Sequence, residues 1–309
     1  MPQKRVNDIA NRAVLLLLVF VWATPIAGQT QSRDCQPNEA TSTSSVRLSN
    51  EVHVVEFGKT HQIESKVLSE SRTLLISVPQ SYQSGKRSYP VIYLLDGRSN
   101  FLHTVSAARF LAANRRIPES IVVGIVNTNR TRDLTPKSEA KADLEQYKGA
   151  GGADEFHRFI ATELVPWVDG KFRTTKDRVL IGHSFGGLFA VHVLLEHPET
   201  FQRYLAISPS LWWSDLGLVE KIEERLADVE KAKSLKGRIF MTLGNEKGKM
   251  LEGLTRTEKA LKKSAPESLS WKYQLLDQET HLSVPYLSTY HGLEFVLKGA
   301  KREIVEKGN

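Results

Sequence analysis

The chain is poor in cysteine: Cys35 is the only one among 309 residues. A single thiol excludes an internal disulfide framework, so stability has to come from a packed core. No basic stripe with interleaved aromatics is present. The formal net charge of +7 is spread among interspersed acidic and basic residues, which argues against a nucleic-acid partner. An internal repeat is also lacking. The apolar run AVLLLLVFVWA, Ala13–Ala23, falls short of the about 20 residues a membrane-spanning helix requires.

That run has a particular setting. Lys4, Arg5 and Arg12 precede it, and Pro25, Ala27 and Gly28 follow. A basic start, a short apolar stretch and small residues make a secretory signal, with cleavage expected near Gly28; the alternative is an uncleaved anchor. Residues 1–28 are therefore expected to be a signal peptide and the mature chain periplasmic or secreted, without stable membrane insertion. Residues 29–47 are polar and small, with TSTSS at 41–45, and read as a flexible linker carrying Cys35. Residues 48–304 are expected to form one domain, with 305–309 a tail. A hydrophobic fraction of 40% is ordinary for a globular chain.

The domain opens with strand-like segments at 50–57, 60–68 and 72–79, close enough together for antiparallel pairing. Apolar runs then alternate with helical patterns. Strands are expected at 90–97, 120–127, 177–184, 203–209, 237–244 and 270–277. Helices are expected at 104–115, 153–172, 185–196, 218–233, 252–263 and 285–304, and 128–152 reads as a long polar loop. This alternation gives an α/β fold, a mostly parallel sheet with helices on both faces. Sites in such sheets lie beyond the C-terminal strand ends.

LIGHSFGGLFA, from Leu180, carries the sharpest signal. Gly182-His183-Ser184-Phe185-Gly186 fits G-x-S-x-G between an expected strand and helix, the context of a nucleophile elbow. Ser184 is the candidate nucleophile, with Gly182 and Gly186 expected to clear space for the turn. A hydroxyl needs a base. His192 and His197 lie on or just past the elbow's own helix, and His291 lies within another. His281, in the loop LDQETHLSVP, follows the last strand and is the candidate base. The acid is Glu246, after the strand GRIFMTLG, with Asp277 and Glu279 as alternatives and Asp215 a further carboxylate after the preceding strand. Phe185 N–H is the first oxyanion donor, and Arg98 N–H, after Asp96-Gly97, the second. Arg130 and Arg132, in the long loop, could hold an anionic substrate group. Trp212 and Trp213 could wall an acyl or aryl pocket.

The blocks YPVIYLLDG, IVVGIVNTNRTRD, FIATELVPWVDGKF, LIGHSFGGLFA, ISPSLWW and ETHLSVP, in this order, resemble an esterase family of α/β hydrolases. That family includes esterase D, the enterochelin esterases and the mycolyltransferases; the enterochelin-esterase-like branch is most similar. The resemblance spans about Val54 to Leu297. It implies an α/β-hydrolase fold and serine-dependent hydrolysis of a small-molecule ester by Ser184 and His281, with no metal or organic cofactor. Siderophore, acyl and aryl esters all fall within its substrate range. An acyltransferase acting on a sugar or lipid hydroxyl, and a non-catalytic binder on the same scaffold, are the alternatives.

Overall fold

The computed structural model describes residues 55–299. The expected signal peptide, linker and tail lie outside the described residues. Eight strands form one sheet in the order β1-β2-β4-β3-β5-β6-β7-β8. They are β1 (Lys59–Ser65), β2 (Glu70–Ser77), β3 (Tyr89–Leu94), β4 (Ile121–Ile125), β5 (Thr174–His183), β6 (Arg203–Ile207), β7 (Gly237–Leu243) and β8 (Leu269–Leu275). β1 pairs antiparallel with β2, and β2 with β4; every other pairing is parallel. This is the α/β-hydrolase architecture with antiparallel N-terminal strands. Of the strand expected at 50–57, residues 55–57 are not in a strand and 50–54 lie outside the described residues.

The helices are α1 (Gly97–Ala113), α2 (Arg130–Leu134), α3 (Lys141–Gln146), α4 (Ala153–Phe159), α5 (Val165–Lys171), α6 (Phe185–Glu196), α7 (Trp213–Ala227), α8 (Val229–Ala232), α9 (Lys249–Ser264) and α10 (Val284–Leu297). Every residue of β3 is buried. Its alternating side chains divide between two cores: Val91 and Tyr93 join the cluster with α4 and α6, Ile92 and Leu94 the cluster with α1 and α10. Burial on both faces is why the central strands read as unbroken apolar runs. α6 is buried from Phe185 to Leu195, as a helix apolar on every side must be.

Other segments also depart from expectation, and the helix expected over 218–233 is broken at Asp228 between α7 and α8. The helix expected over 153–172 splits into α4, a π-helical turn at Ile160–Leu164, and α5. Pro166 has no N–H to donate to the preceding turn, and the π turn absorbs the lost bond. The loop expected over 128–152 contains α2 and α3. The Asn129 side chain caps α2 by accepting from Arg132 N–H at 3.1 Å.

Candidate active site

The C-terminal edge of the sheet carries unusual backbone. Asp96 after β3 (φ 53°), Ser184 after β5 (φ 59°) and Ser208 after β6 (φ 39°) all have positive φ. Non-glycine residues avoid this region, and such strain gathers at functional sites. Ser184 has ψ −116° and passes directly into α6. The turn is held by Ser184 N–H to Ile207 O (2.9 Å) and by Leu188 N–H and Ser210 N–H to Ser184 O (2.9 and 3.1 Å).

The glycines divide the work differently from expectation. A Cβ at Gly182 would lie 2.1 Å from Gly186 O and 2.2 Å from Gly186 C. A Cβ at Gly187 would lie 2.9 Å from Ile207 O and Pro209 Cα. One at Gly186 would come no closer than 3.4 Å, to an Asp96 carboxylate oxygen. The close approaches are therefore made at Gly182 and Gly187, because the backbone of Gly186 is itself the surface that Gly182 faces.

A cleft of about 330 Å³ opens over the turn, lined by Ser184, Phe185, Ser210, Glu246 and His281, with Arg130, Tyr147, Trp212 and Met250. His281 Nδ1 lies 2.7 Å from Glu246 Oε1. The carboxylate side chain is 11% exposed and that of His281 35%. Burial works to raise the Glu246 carboxyl but is outweighed, mainly by the hydrogen bond with His281 and then by the Ser208 hydroxyl, so it stays below the ordinary carboxylate range. Asp277 is exposed, and Glu279 Oε2 accepts from Ser283 Oγ at 2.5 Å. Asp215 pairs with Lys249 Nζ at 2.6 Å. Of the four carboxylates, Glu246 is the one hydrogen-bonded to His281. The Ser184 hydroxyl bonds Ser210 Oγ at 3.1 Å.

The His183 ring centroid lies 4.6 Å from that of His281. Burial, followed by the nearby His281 charge, pushes its imidazole down to about 4. The ring at this position is therefore neutral at neutral pH.

The binding candidates separate. Arg130 lines the cleft and stands over the Phe185 ring at 5.6 Å. Its guanidinium forks onto Asp96, Nε to Oδ1 at 2.6 Å and Nη2 to Oδ2 at 3.0 Å, and Nη2 also donates to His183 O at 3.1 Å. Asn127 Nδ2 donates to Asp96 Oδ1 at 2.5 Å. Arg132 does not reach the cleft. It pairs with Glu70 and Asp133, both at 2.7 Å, in a network centred on the fully buried Arg72. Trp212 lines the cleft, but Trp213 is core: it is 1% exposed and its indole N–H donates to Pro136 O at 2.9 Å. Residues one or two positions apart at the start of a helix do not face the same way, so only one of each candidate pair points into the cleft. Arg98 is outside the cleft walls; its side chain is exposed and its N–H belongs to the first turn of α1, where no intrahelical acceptor exists.

Ser210, Tyr147, Met250, Asp96 and His183 escaped the sequence reading. Ser210 and Tyr147 sit in loops with no periodicity to mark them. Asp96 showed only as half of an Asp-Gly turn. Tyr147, Phe185 and Trp212 form one aromatic wall, with centroids 5.5 to 6.0 Å apart.

Residues 65–284 match the family described as "Putative esterase". The chain is 30% identical over 254 residues to the ferri-bacillibactin esterase BesA of Bacillus subtilis, covering 74% of this chain and 86% of that one. A siderophore triacetylfusarinine C esterase of Aspergillus fumigatus is 36% identical over 151 residues, 45% of this chain and half of that protein. Among solved structures, an IroE-like serine hydrolase from Shewanella oneidensis superposes with a TM-score of 0.69 at 32% identity, covering 78% of this chain and 80% of that one. The BES protein from Bacillus cereus superposes with a TM-score of 0.71 at 28% identity, covering 81% and 99%.

Proposed function

The chain belongs to this esterase family and is a carboxylic ester hydrolase, and from that premise we propose that it works through a serine acyl-enzyme on siderophore or small aryl and acyl esters. The observation that carries the reading is the 2.7 Å contact between His281 Nδ1 and Glu246 in the cleft that also holds the strained Ser184. With Nδ1 engaged by the carboxylate, the imidazole keeps Nε2 for the serine proton.

Ser184 Oγ attacks the ester carbonyl while His281 Nε2 takes its proton. Negative charge on the carbonyl oxygen meets the N–H groups of Phe185 and Arg98 at the starts of α6 and α1. The tetrahedral intermediate collapses, His281 returns the proton to the departing alcohol, and Ser184 is left acylated. A water molecule, deprotonated by His281, attacks the acyl carbon and releases the acid. In the resting arrangement Ser184 bonds Ser210 instead, and substrate entry would turn the hydroxyl toward His281; loose geometry before substrate binds is common.

The substrate class rests on the cleft walls. An aromatic face from Tyr147, Phe185 and Trp212 beside the Arg130 guanidinium suits an aryl acyl group bearing anionic or hydroxyl substituents. The relatives named as a ferri-bacillibactin esterase and a siderophore triacetylfusarinine C esterase support a siderophore ester. Export, expected from residues 1–28, would place hydrolysis in the periplasm or outside the cell.

The test is hydrolysis of p-nitrophenyl acetate, catechol-bearing aryl esters and a trilactone siderophore by the wild type and Ser184→Ala. A fluorophosphonate label on Ser184, with loss of all turnover in the variant, is the expected result. Equal rates in both proteins would sink the serine mechanism. Serine-dependent turnover of acetate alone would keep the mechanism and remove the substrate class.

A further inference from the structure

Outside the cleft, one group of chemically competent side chains has no role in ester hydrolysis. Asp154 stands in the first turn of α4, His192 in the last turns of α6, and His197 immediately after α6. Asp154 Oδ1 is 2.8 Å from His192 Nε2 and 3.7 Å from His197 Nε2, and the three donor atoms lie within 4.8 Å of one another. We propose that Asp154, His192 and His197 bind one divalent transition-metal ion of the zinc type, which clasps α4 to the C-terminal end of α6.

The donor set is two imidazole nitrogens and one carboxylate oxygen, a combination that borderline cations such as Zn²⁺ take with a water molecule as fourth ligand. Ligand atoms about 2.0 Å from a tetrahedral ion lie about 3.3 Å from each other, within the separations seen here. Small side-chain rotations would bring all three onto one centre.

The surroundings suit an ion that enters from solvent and is gripped from below. The Asp154 side chain is 61% exposed and that of His197 31%, while that of His192 is 5% exposed and fixed within the helix. His157 does not compete as a ligand, because its Nε2 is bonded to Thr200 Oγ1 at 2.8 Å. Its ring stacks on His197 at 3.8 Å and 7°, which holds the His197 imidazole in one orientation. Orientation of a ligand before the metal arrives is what a defined site needs. The position at the carbonyl end of α6 adds favourable charge, since helix C-termini attract cations.

The site has no part in the proposed chemistry. Ser184 and His192 are separated by about 12 Å of rise along α6. The ion would be structural, tying the two helices that pack together against one face of the sheet through Phe156 and Phe189, whose centroids lie 5.3 Å apart.

The test uses the full chain with Cys35→Ser, so that the thiol cannot compete for metal. Zn²⁺ is titrated against a chromophoric chelator, the melting temperature is followed with and without Zn²⁺, and a zinc-soaked crystal is measured at the zinc edge. The expected results are one Zn²⁺ per chain, a rise in melting temperature, and an anomalous peak among the three donor atoms. Asp154→Asn and His197→Asn should each weaken Zn²⁺ binding about tenfold or more and abolish the thermal shift. No stoichiometric binding, undiminished binding in both variants, or an anomalous peak elsewhere would overturn the proposal. Should either variant fail to fold, the anomalous peak decides.

Discussion

Glu246→Gln removes the charge beside His281 while keeping the shape of the side chain. In the proposed mechanism, the imidazolium formed when His281 accepts the Ser184 proton then has no carboxylate 2.7 Å from Nδ1. With charge centres about 4 Å apart and an effective dielectric of about 20, the lost attraction is about 4 kcal/mol. At about 1.4 kcal/mol per decade this lowers the acylation rate about 10³-fold. The amide can also present its NH₂ to Nδ1 and select the wrong tautomer, which carries the loss toward about 10⁴-fold, the scale seen when a triad acid becomes an amide. The assay is kcat/KM for p-nitrophenyl butyrate, beside Asp277→Asn and Glu279→Gln, with circular dichroism as the control for folding. Those two variants should stay close to wild type, because Asp277 is exposed and Glu279 is occupied by Ser283. Near wild-type activity in Glu246→Gln, with collapse in either of the others, would refute the assignment.

Gly182→Ala should destabilise the protein by about 3 kcal/mol or more in urea unfolding, since the new methyl meets only backbone at 2.1 to 2.8 Å, whereas Gly186→Ala should cost little. Arg132→Ala should lower stability by about 1–3 kcal/mol through its lost charged hydrogen bonds to Glu70 and Asp133, which keep Arg72 as a partner, and leave KM unchanged, because Arg132 does not line the cleft. His183, with a folded value of about 4 against an ordinary 6.5, takes up its proton first in the unfolded chain. Its contribution is therefore lost as pH falls from 6.5 toward 4, by up to about 1.4 kcal/mol per pH unit, and His183→Asn should flatten that acid limb of the stability curve.

The elements read most accurately from sequence are those whose burial leaves a pattern. β6 and β7 begin at the expected residues, and α6 spans the expected 185–196, because strands and helices enclosed on both sides are written as apolar runs with sharp ends. The π turn ahead of Pro166 and the short helices α2 and α3 were not legible, because local hydrogen-bond accounting and one Asn cap decide them. Among the site candidates, Ser184, His281 and Glu246, which the fold brings into one cleft, could be named in advance because chain order and strand ends place them. Arg130 could not be told from Arg132, nor Trp212 from Trp213, because two residues of the same type one or two positions apart carry the same propensity and differ only in direction.

By itself, the sequence determined the alternation that builds a parallel sheet, the serine turn between strand and helix, and the order in which Ser184, Glu246 and His281 follow their strands. These are local: each depends on residues a few positions apart, or on where a strand ends. Tertiary structure alone decided which carboxylate meets His281 across 35 positions, that Asp96 locks Arg130, and that Asp154 stands between His192 and His197. Those pairings join separate segments of the chain, and only the packed sheet and its helices set the distances between them.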